Sequence, residues 1–272
     1  MKEESSDDEA AFQRVASHIE DEIGFATSHY NDSYLKRRLT SRIRRTGVDG
    51  YDAYHDLLAS DEDEVAALLD ALSINVTSFF RNPEVWDGIR SVLRELSAEK
   101  ESVHVWSAAC ADGREPYSLA MLALDDPRVD AEKFHIYGTD INDESLRTAQ
   151  NGVYHSTRTV DIDDQLSFLT NFHAYVNRKD GRFEVSDRVK RLVTFAHHDL
   201  INDDAKSGFD LVVCRNLFIY IDNEHKEPIL ATISDALRHG GYLVIGKAET
   251  IPPNLKPEFT VLDGRKRLYR RE

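Results

Sequence analysis

The stretch from Val103 to Leu122 restricts the fold of this chain more than any other part of the sequence. It begins with alternating apolar residues, Val103 and Val105 among them, at the period of a half-buried β-strand. The alternation ends at Ala111-Asp112-Gly113, where glycine gives the backbone the freedom of a tight turn, and Pro116 suits the first turn of a following helix. Strand, tight turn and helix open the sheets that bind nucleotides, and such sheets bind small molecules at the carboxyl ends of their strands.

The character of the chain changes at about residue 100. Before it, apolar residues recur at helical spacing without strand-like alternation, and Glu99-Lys100-Glu101-Ser102 is a polar joint. After it, apolar runs such as Phe209–Cys214 alternate with helices, one of which is expected to run through Leu237. The interval 152–190 interrupts this alternation and predicts a helix with a small hairpin at Asp180-Gly181. We therefore expect an all-α domain over 1–82, a linker helix over 83–100 and an α/β domain over 101–272 with an insertion at about 152–190.

The turn after the first predicted strand contains a single glycine, Gly113. A dinucleotide fingerprint needs three glycines so that the backbone can approach a pyrophosphate, which disfavours a nicotinamide dehydrogenase. Asp140 ends the next predicted strand and is an acid of the kind that accepts the hydroxyls of a ribose. An aspartate at such a point also often serves as a helix cap, and Asn142-Asp143-Glu144 behind it suits a cap as well.

A second polar strand end is predicted at Cys214-Arg215-Asn216-Leu217-Phe218-Ile219-Tyr220. Asn216 and Tyr220 at the end of a central strand are typical of a ligand site on this architecture. The alternative is that the apolar and aromatic residues after Asn216 serve only for packing. His197-His198 lacks a third ligand at metal-binding spacing, so we expect no metal site.

A basic segment stands out in a chain whose net charge is −15. Six cations fall within ten residues of a predicted helix: Lys36, Arg37, Arg38, Arg42, Arg44 and Arg45. They form either a solvated helix face, balanced by nearby aspartates, or a docking surface for a negatively charged partner.

Composition excludes several classes of protein. The acidic charge disfavours a general nucleic-acid binder, because phosphate contacts need a basic surface. The start, MKEESSDDEA, has no apolar core of a signal peptide, and no apolar run approaches the ~20 residues of a membrane span. Two cysteines, Cys110 and Cys214, are too few for a disulfide framework. We expect a cytoplasmic protein without direct membrane insertion.

These motifs together resemble the CheR family, the chemoreceptor glutamate O-methyltransferases that use S-adenosylmethionine. The resemblance runs through NVTSFFR (75–81), WSAACADGREPYSLAM (106–121), YGTDI (137–141), CRNLFIYID (214–222) and GYLVIGKAET (241–250). KRRLTSRIRR (36–45) is similar to part of the family's N-terminal domain. The family usually has Thr-Gly-Glu-Glu where this chain has Asp112-Gly113-Arg114-Glu115, so that an arginine replaces the first acid.

The resemblance implies an all-α N-terminal domain followed by a Rossmann-like α/β methyltransferase domain with a small inserted β-subdomain. The implied cofactor-binding residues are Asn75, Thr77, Arg81, Glu115, Asp140, Asp199, Leu200, Asn216 and Leu217. Among them, Glu115 takes the methionine ammonium group and Asp140 the ribose, while the last four frame the adenine. Tyr220, near the transferred methyl, and Arg81 are the implied catalytic residues.

The resemblance also implies the substrate, which is the glutamate side chain on the cytoplasmic helical domains of chemoreceptors, and the product S-adenosylhomocysteine. Glutamate is already ionised at pH 7, so the reaction needs no general base. Some members of the family bind a tethering peptide through the inserted segment, but the stretch 177–182 is short and predicts no such tethering. The alternative is a catalytically silent cofactor-binding or receptor-scaffolding protein of the same fold, which Arg114 keeps open.

Overall fold

The structure is a computed structural model that describes residues 2–73, 77–158 and 160–272, with side chains from Asp7 onward. Its contacts divide the chain into two compact units. The smaller consists of Met1–Ile74 and Tyr220–His225, and the larger of Asn75–Ile219 and Lys226–Glu272. The sequence-based boundaries at residues 82 and 100 stay a prediction.

The smaller unit is helical, as the sequence predicts. Buried apolar side chains, Phe12, Leu39 and Leu68 among them, fill the space between its helices. A π-helical turn, Ile19–Ile23, follows the first helix and is closed by Gly24, whose φ is +83°. Its α-helices are α1 (Lys2–His18), α2 (Asp32–Thr46), α3 (Gly50–Leu58) and α4 (Glu62–Leu72).

Helix α2, which carries the basic segment, has a definite signal at each end. Asn31 is its N-cap, and the side-chain Oδ1 of Asn31 accepts a hydrogen bond from the backbone N–H of Tyr34 at 3.0 Å. Gly47 ends the helix with a φ of +76°, and its N–H donates to the carbonyl of Ile43.

The larger unit alternates strands and helices. Its remaining described helices are α5 (Pro83–Glu99), α6 (Arg114–Asp125), α7 (Asp143–Asn151), α8 (Ile162–Leu166), α9 (Asp187–Lys190) and α10 (Asn223–Ala236), the last of which begins in the segment grouped with the smaller unit. The strands are β1 (Val103–Ala108), β2 (Phe134–Asp140), β3 (Val153–His155), β4 (Val176–Lys179), β5 (Arg182–Val185), β6 (Val193–His197), β7 (Phe209–Cys214), β8 (Leu237–Ile245), β9 (Phe259–Asp263) and β10 (Leu268–Arg271). No helix in the described ranges is both long and apolar enough to cross a membrane.

Seven strands form one mixed sheet in the order β6-β2-β1-β7-β8-β10-β9. The first five run parallel, and the terminal hairpin of β9 and β10 adds antiparallel strands at one edge. Strand β7 lies at the centre and is buried at every position, as its continuous apolar sequence predicts. The parallel arrangement brings the carboxyl ends of β1, β2 and β7 to the same edge of the sheet, where ligands bind in this class of fold.

The inserted segment forms a separate antiparallel sheet in the order β3-β5-β4. Asp180 and Gly181, with φ of +51° and +73°, make the turn between β4 and β5. Phe183 and Val185 of the central strand are buried and anchor this sheet in the core. The α/β architecture with a small inserted β-subdomain is therefore confirmed.

Candidate functional site

The loop after β1 is held in an uncommon backbone conformation. Ala109, Ala111 and Gly113 have φ of +55°, +50° and +86°, the left-handed region that non-glycine residues seldom occupy. A Cβ on Gly113 would lie 2.6 Å from the Cβ of Ala149, so the close packing of this loop against α7 also requires glycine. Backbone strain of this kind is concentrated at ligand-binding sites.

Asp140 is the last residue of β2 and is buried beside that loop. Its carboxylate accepts hydrogen bonds from the backbone N–H of Ala111 at 2.7 Å and of Asn142 at 3.0 Å. Burial raises the pKa of Asp140, and these N–H donors oppose the rise by stabilising the anion. The cap of α7 is Asn142, whose Oδ1 accepts from the N–H of Ser145. Asp140 therefore holds the β1 loop rather than the helix.

Glu115, in the first turn of α6, is a second buried carboxylate. Its Oε1 accepts from the hydroxyl of Ser107 at 2.9 Å, and its Oε2 lies 3.3 Å from Nη1 of Arg215. Burial raises the pKa of Glu115, and the nearby positive charges of Arg215 and Arg81 oppose that rise. Three chain segments thus contribute polar groups around one carboxylate.

Arg215 was not among the residues predicted to form the site. Its side chain is almost completely buried, and besides Glu115 it donates to the carbonyl of Arg81 at 2.6 Å and to Oδ1 of Asn82 at 3.0 Å. Arg215 therefore joins the end of β7 to α6 and to the segment that precedes α5. The only sequence signal for it is its position between the buried strand β7 and Asn216.

Asn216, two residues after the end of β7, adopts a φ of +64°, and Glu249 holds the turn that it makes. The carboxylate of Glu249 accepts from the N–H groups of Asn216 at 3.2 Å, of Phe218 at 2.8 Å and of Gly246. Glu249 is 4% exposed; burial raises its pKa, and the N–H donors oppose that rise. Glu249 belongs to the family-like segment 241–250, but the sequence alone predicts no role for it.

The loop after β6 contains Asp199 and Leu200. The Asp199 carboxylate accepts from the N–H of Ile201 at 2.7 Å and from the side-chain amide of Asn202 at 2.8 Å. Its own N–H donates to Asp203 at 2.8 Å. These bonds fold the loop upon itself, so the carboxylate of Asp199 fixes the shape of the loop.

The segment from Thr77 to Arg81 lies against α6 and the inserted subdomain. The N–H of Phe79 donates to Oε1 of Gln165 at 3.0 Å, and the N–H of Phe80 donates to the hydroxyl of Ser118 at 3.1 Å. The predicted cofactor residue Asn75 lies outside the described residues. The backbone carbonyls of Thr77 and Arg81 accept hydrogen bonds from Arg114 and Arg215, and the cofactor roles of both residues stay a prediction.

Tyr220 belongs to the smaller unit by its contacts. Its carbonyl accepts from both the backbone N–H and the side-chain amide of Asn31, at 3.0 and 2.9 Å. Its ring packs against Tyr34 with 4.9 Å between centroids. The structure thus gathers Arg81, Glu115, Asp140 and Asn216 in the larger unit and groups Tyr220 with α2.

The six basic residues of α2 have different environments. Arg42 makes two hydrogen bonds to the buried carboxylate of Glu64, at 3.0 and 2.5 Å, and Tyr54 donates to the same carboxylate. Arg38 lies over the ring of Tyr34, and Lys36 pairs with Glu9 at 2.7 Å. The remaining three, which are exposed, are Arg37, Arg44 and Arg45.

The loops around Asp140 and Glu115 also contain buried polar atoms that are suited to a ligand. Among the described residues, four buried polar atoms in the loops after β1, β6 and β7 have no hydrogen-bond partner: Asp112 Oδ1, His198 Nδ1, Arg215 Nε and Asn216 Oδ1. Buried polar groups are normally hydrogen-bonded, so such a cluster points to a missing partner. Oxygen acceptors and a buried guanidinium fit the zwitterionic amino acid and the adenosine of S-adenosylmethionine.

Comparison with known proteins identifies the family of this chain. The all-alpha domain of the CheR methyltransferases matches residues 10–73, and the SAM binding domain of CheR methyltransferases matches residues 75–268. The chain is 32% identical over 242 residues to the chemotaxis protein methyltransferase of Listeria monocytogenes serovar 1/2a, covering 88% of each protein. It is 34% identical over 251 residues to a probable chemotaxis protein methyltransferase of Rhizobium etli, covering 89% of this chain and 92% of that protein. The chain therefore belongs to the CheR methyltransferase family, whose members use S-adenosylmethionine.

Proposed function

We propose that this enzyme methylates glutamate side chains on the cytoplasmic helical domains of chemoreceptors, forming glutamate methyl esters for sensory adaptation. The observation that carries the proposal is the cluster of Asp140, Glu115 and Arg215 at the carboxyl ends of β1, β2 and β7, in a chain similar to chemotaxis methyltransferases over most of its length. A substrate on these receptor domains places the activity in the cytoplasm.

The buried polar groups suggest how the cofactor is held. The N–H donors around Asp140 favour its charged form, which suits the ribose hydroxyls. Glu115 provides a negative charge for the ammonium group, and Arg215 keeps that charge in place. The turn at Asn216-Leu217 and the loop at Asp199-Leu200 are fixed by buried carboxylates and suit the two edges of the adenine.

The methyl transfer requires little from the protein beyond positioning of the glutamate carboxylate and the methyl group. S-adenosylmethionine supplies an electrophilic methyl group when it is bound. A glutamate substrate is ionised at neutral pH, so no residue needs to remove a proton. A site that excludes water favours this reaction, because opposite charges are neutralised along its path, and Arg81 and Tyr220 orient the carboxylate and the methyl. We propose these roles for Arg81 and Tyr220 on the basis of the family resemblance.

The exposed face of α2 suits the docking of receptor helices. Arg37, Arg44 and Arg45 are exposed and, with Lys36, Thr40 and Ser41, line one groove on this helix. A positive face in an acidic protein steers and orients a glutamate-rich helix. Arg42 is left out of this surface because its guanidinium is committed to Glu64.

The first test is transfer of labelled methyl from S-adenosylmethionine to receptor-containing membranes, measured as base-labile methanol. We expect volatile label with the unaltered enzyme and its loss in Asp140→Ala. The matched control is Asp143→Ala, which removes a neighbouring exposed aspartate from α7. Cofactor binding without volatile label would instead support the catalytically silent alternative.

A second arm of the same assay tests docking. We expect the triple variant Arg37→Glu, Arg44→Glu, Arg45→Glu to lose receptor methylation while binding S-adenosylhomocysteine normally. The control reverses two exposed arginines of the larger unit, Arg128 and Arg147. The assay is run at low and high salt, because screening weakens docking between exposed charges. Undiminished methylation by the triple variant at low salt would refute the docking surface.

A further inference from the structure

Arg114 occupies the first position of α6, where the CheR family usually has an acid. A positive charge at a helix N-terminus is unfavourable, because the unpaired N–H groups there already carry partial positive charge. Even so, the side chain of Arg114 is only 14% exposed and is held in place from several sides. The local contacts must therefore offset an unfavourable position.

The guanidinium of Arg114 contacts three different parts of the larger unit. Its Nη1 donates to the carbonyl of Thr77 at 3.2 Å, and its Nη2 lies 3.4 Å from the carboxylate of Asp112 in the β1 loop. It also lies over the ring of Tyr154, 5.0 Å from the centroid, and near the ring of Phe79. A planar cation between aromatic rings is well suited to such a junction, because it can stack and donate hydrogen bonds together.

Tyr154 closes this junction from the inserted sheet. It lies in β3, is almost completely buried, and its hydroxyl donates to the carbonyl of Asp112 at 2.6 Å. Its ring also packs edge-on against Phe79, with 5.1 Å between centroids. Tyr154 and Arg114 therefore hold the same two segments, the β1 loop and the stretch that begins at Thr77.

We propose that Arg114 is a positioning residue that fixes the Thr77–Arg81 segment to the β1 loop and to the inserted sheet, and that cofactor binding in this enzyme depends on it. The inference rests on the proposed role of Thr77 and Arg81 at the cofactor. An acid at position 114 cannot reproduce these contacts, since it would face the carboxylate of Asp112 and the carbonyl of Thr77. Restoring the family's usual residue is therefore expected to damage this protein.

The test combines binding of S-adenosylhomocysteine by calorimetry with amide hydrogen exchange in the cofactor-free full-length protein. We expect Arg114→Glu to weaken binding by about a hundredfold and Arg114→Lys by about tenfold, since lysine keeps the charge but not the stack or the paired donors. Amides of residues 77–82 are expected to exchange faster in both variants, while those of β1 and β7 keep their protection. The control is Arg147→Glu on the exposed face of α7, which leaves both readouts unchanged.

Two results would overturn the proposal. One is binding by Arg114→Glu as tight as in the unaltered protein. The other is weakened binding with unchanged exchange at residues 77–82, which would make Arg114 a direct ligand of the cofactor instead. If Arg114→Glu does not fold, the milder Arg114→Lys decides by the same two readouts. Neither readout involves a receptor, so failure of receptor methylation would refute the proposed function and leave this inference standing.

Discussion

Asp140, Glu115 and Glu249 are buried carboxylates that differ in what surrounds them. Asp140 and Glu249 are held mainly by backbone N–H donors, whereas Glu115 is held by a hydroxyl and by Arg215. In each case burial is the largest influence and raises the pKa. The charged form of each residue is therefore maintained at a cost to the stability of the folded chain.

The raised pKa of Asp140 predicts the pH dependence of cofactor binding. The charged form disfavours folding above that pKa, and acid removes this penalty, so acidification does not destabilise the fold through Asp140. The charge proposed to hold the ribose is lost, however, as the pH falls through a pKa above the ordinary 3.8. We expect affinity for S-adenosylhomocysteine, measured by calorimetry, to fall before the protein unfolds.

Asp140→Asn serves as the control for this pH dependence. Its binding is expected to be weak and to lack the transition that Asp140 causes. An identical acid transition in Asp140→Asn and the unaltered protein would show that another group is responsible.

Glu249→Gln tests the support of the Asn216 turn. The substitution keeps the shape of the side chain but removes its charge and directs amide hydrogens at backbone N–H donors. We expect a loss of about 2–4 kcal/mol in the free energy of unfolding, measured in urea, because buried donors lose their acceptor. Affinity for S-adenosylhomocysteine is expected to fall as well.

Glu258→Gln is the matched control for this change. The carboxylate of Glu258 accepts a hydrogen bond from the hydroxyl of Ser234, away from the site. It is expected to bind the cofactor product normally. Normal binding by Glu249→Gln would mean that the turn at Asn216 does not depend on the carboxylate.

At the scale of elements, the N-cap residue of helix α2, Asn31, has two functions: it caps the helix and it binds the segment that contains Tyr220. The Oδ1 of Asn31 caps the helix, while its N–H and amide group hold the carbonyl of Tyr220. A bridge between Tyr30 and Ile221 and the bond from the Asp222 N–H to the His29 carbonyl extend the attachment. The helix proposed to dock receptors is therefore hydrogen-bonded to the segment that carries the proposed catalytic tyrosine.

Asn31→Asp and Asn31→Ala separate these two functions. Aspartate keeps the cap but removes the amide donor to Tyr220, so we expect a lower kcat for receptor methylation with little change in stability. Alanine removes both, and we expect an additional loss of about 1 kcal/mol in stability. Thermal unfolding and methylation kinetics provide the two readouts. Equal kcat in Asn31→Asp and the unaltered enzyme would argue against a role for the Tyr220 attachment.

The local pattern of apolar and turn residues predicts helices and strands where burial is regular. It fails where pairing between strands determines where an element begins or ends. Strand β7 and the Asp180-Gly181 turn follow directly from a continuous apolar run and a turn dipeptide. The helix expected to run through Leu237 ends instead at Ala236, because Leu237 pairs with Phe209 and begins β8. Apolar spacing alone does not distinguish a helix end from the start of a long strand.

At the scale of the whole molecule, the sequence predicts where the site lies better than how it is held together. Asp140 and Asn216 are predicted as candidate site residues because parallel topology brings strand ends to one edge. The sequence does not predict the contacts of Arg215 and Glu249, because their partners lie far along the chain. Arg215 is 100 residues from Glu115, and Glu249 is 33 residues from Asn216. No sequence periodicity indicates a contact between residues so far apart in the chain, because only the fold brings them together.

The buried pair of Arg42 and Glu64 also has an evolutionary consequence. Because this pair anchors α2 to its neighbours, the exposed positions 37, 44 and 45 are free to change without endangering the fold. A lineage that acquires a new receptor can therefore change the proposed recognition surface through single substitutions. The same three positions are the place to begin when an enzyme and a receptor are engineered to react with each other but not with the natural receptor and enzyme.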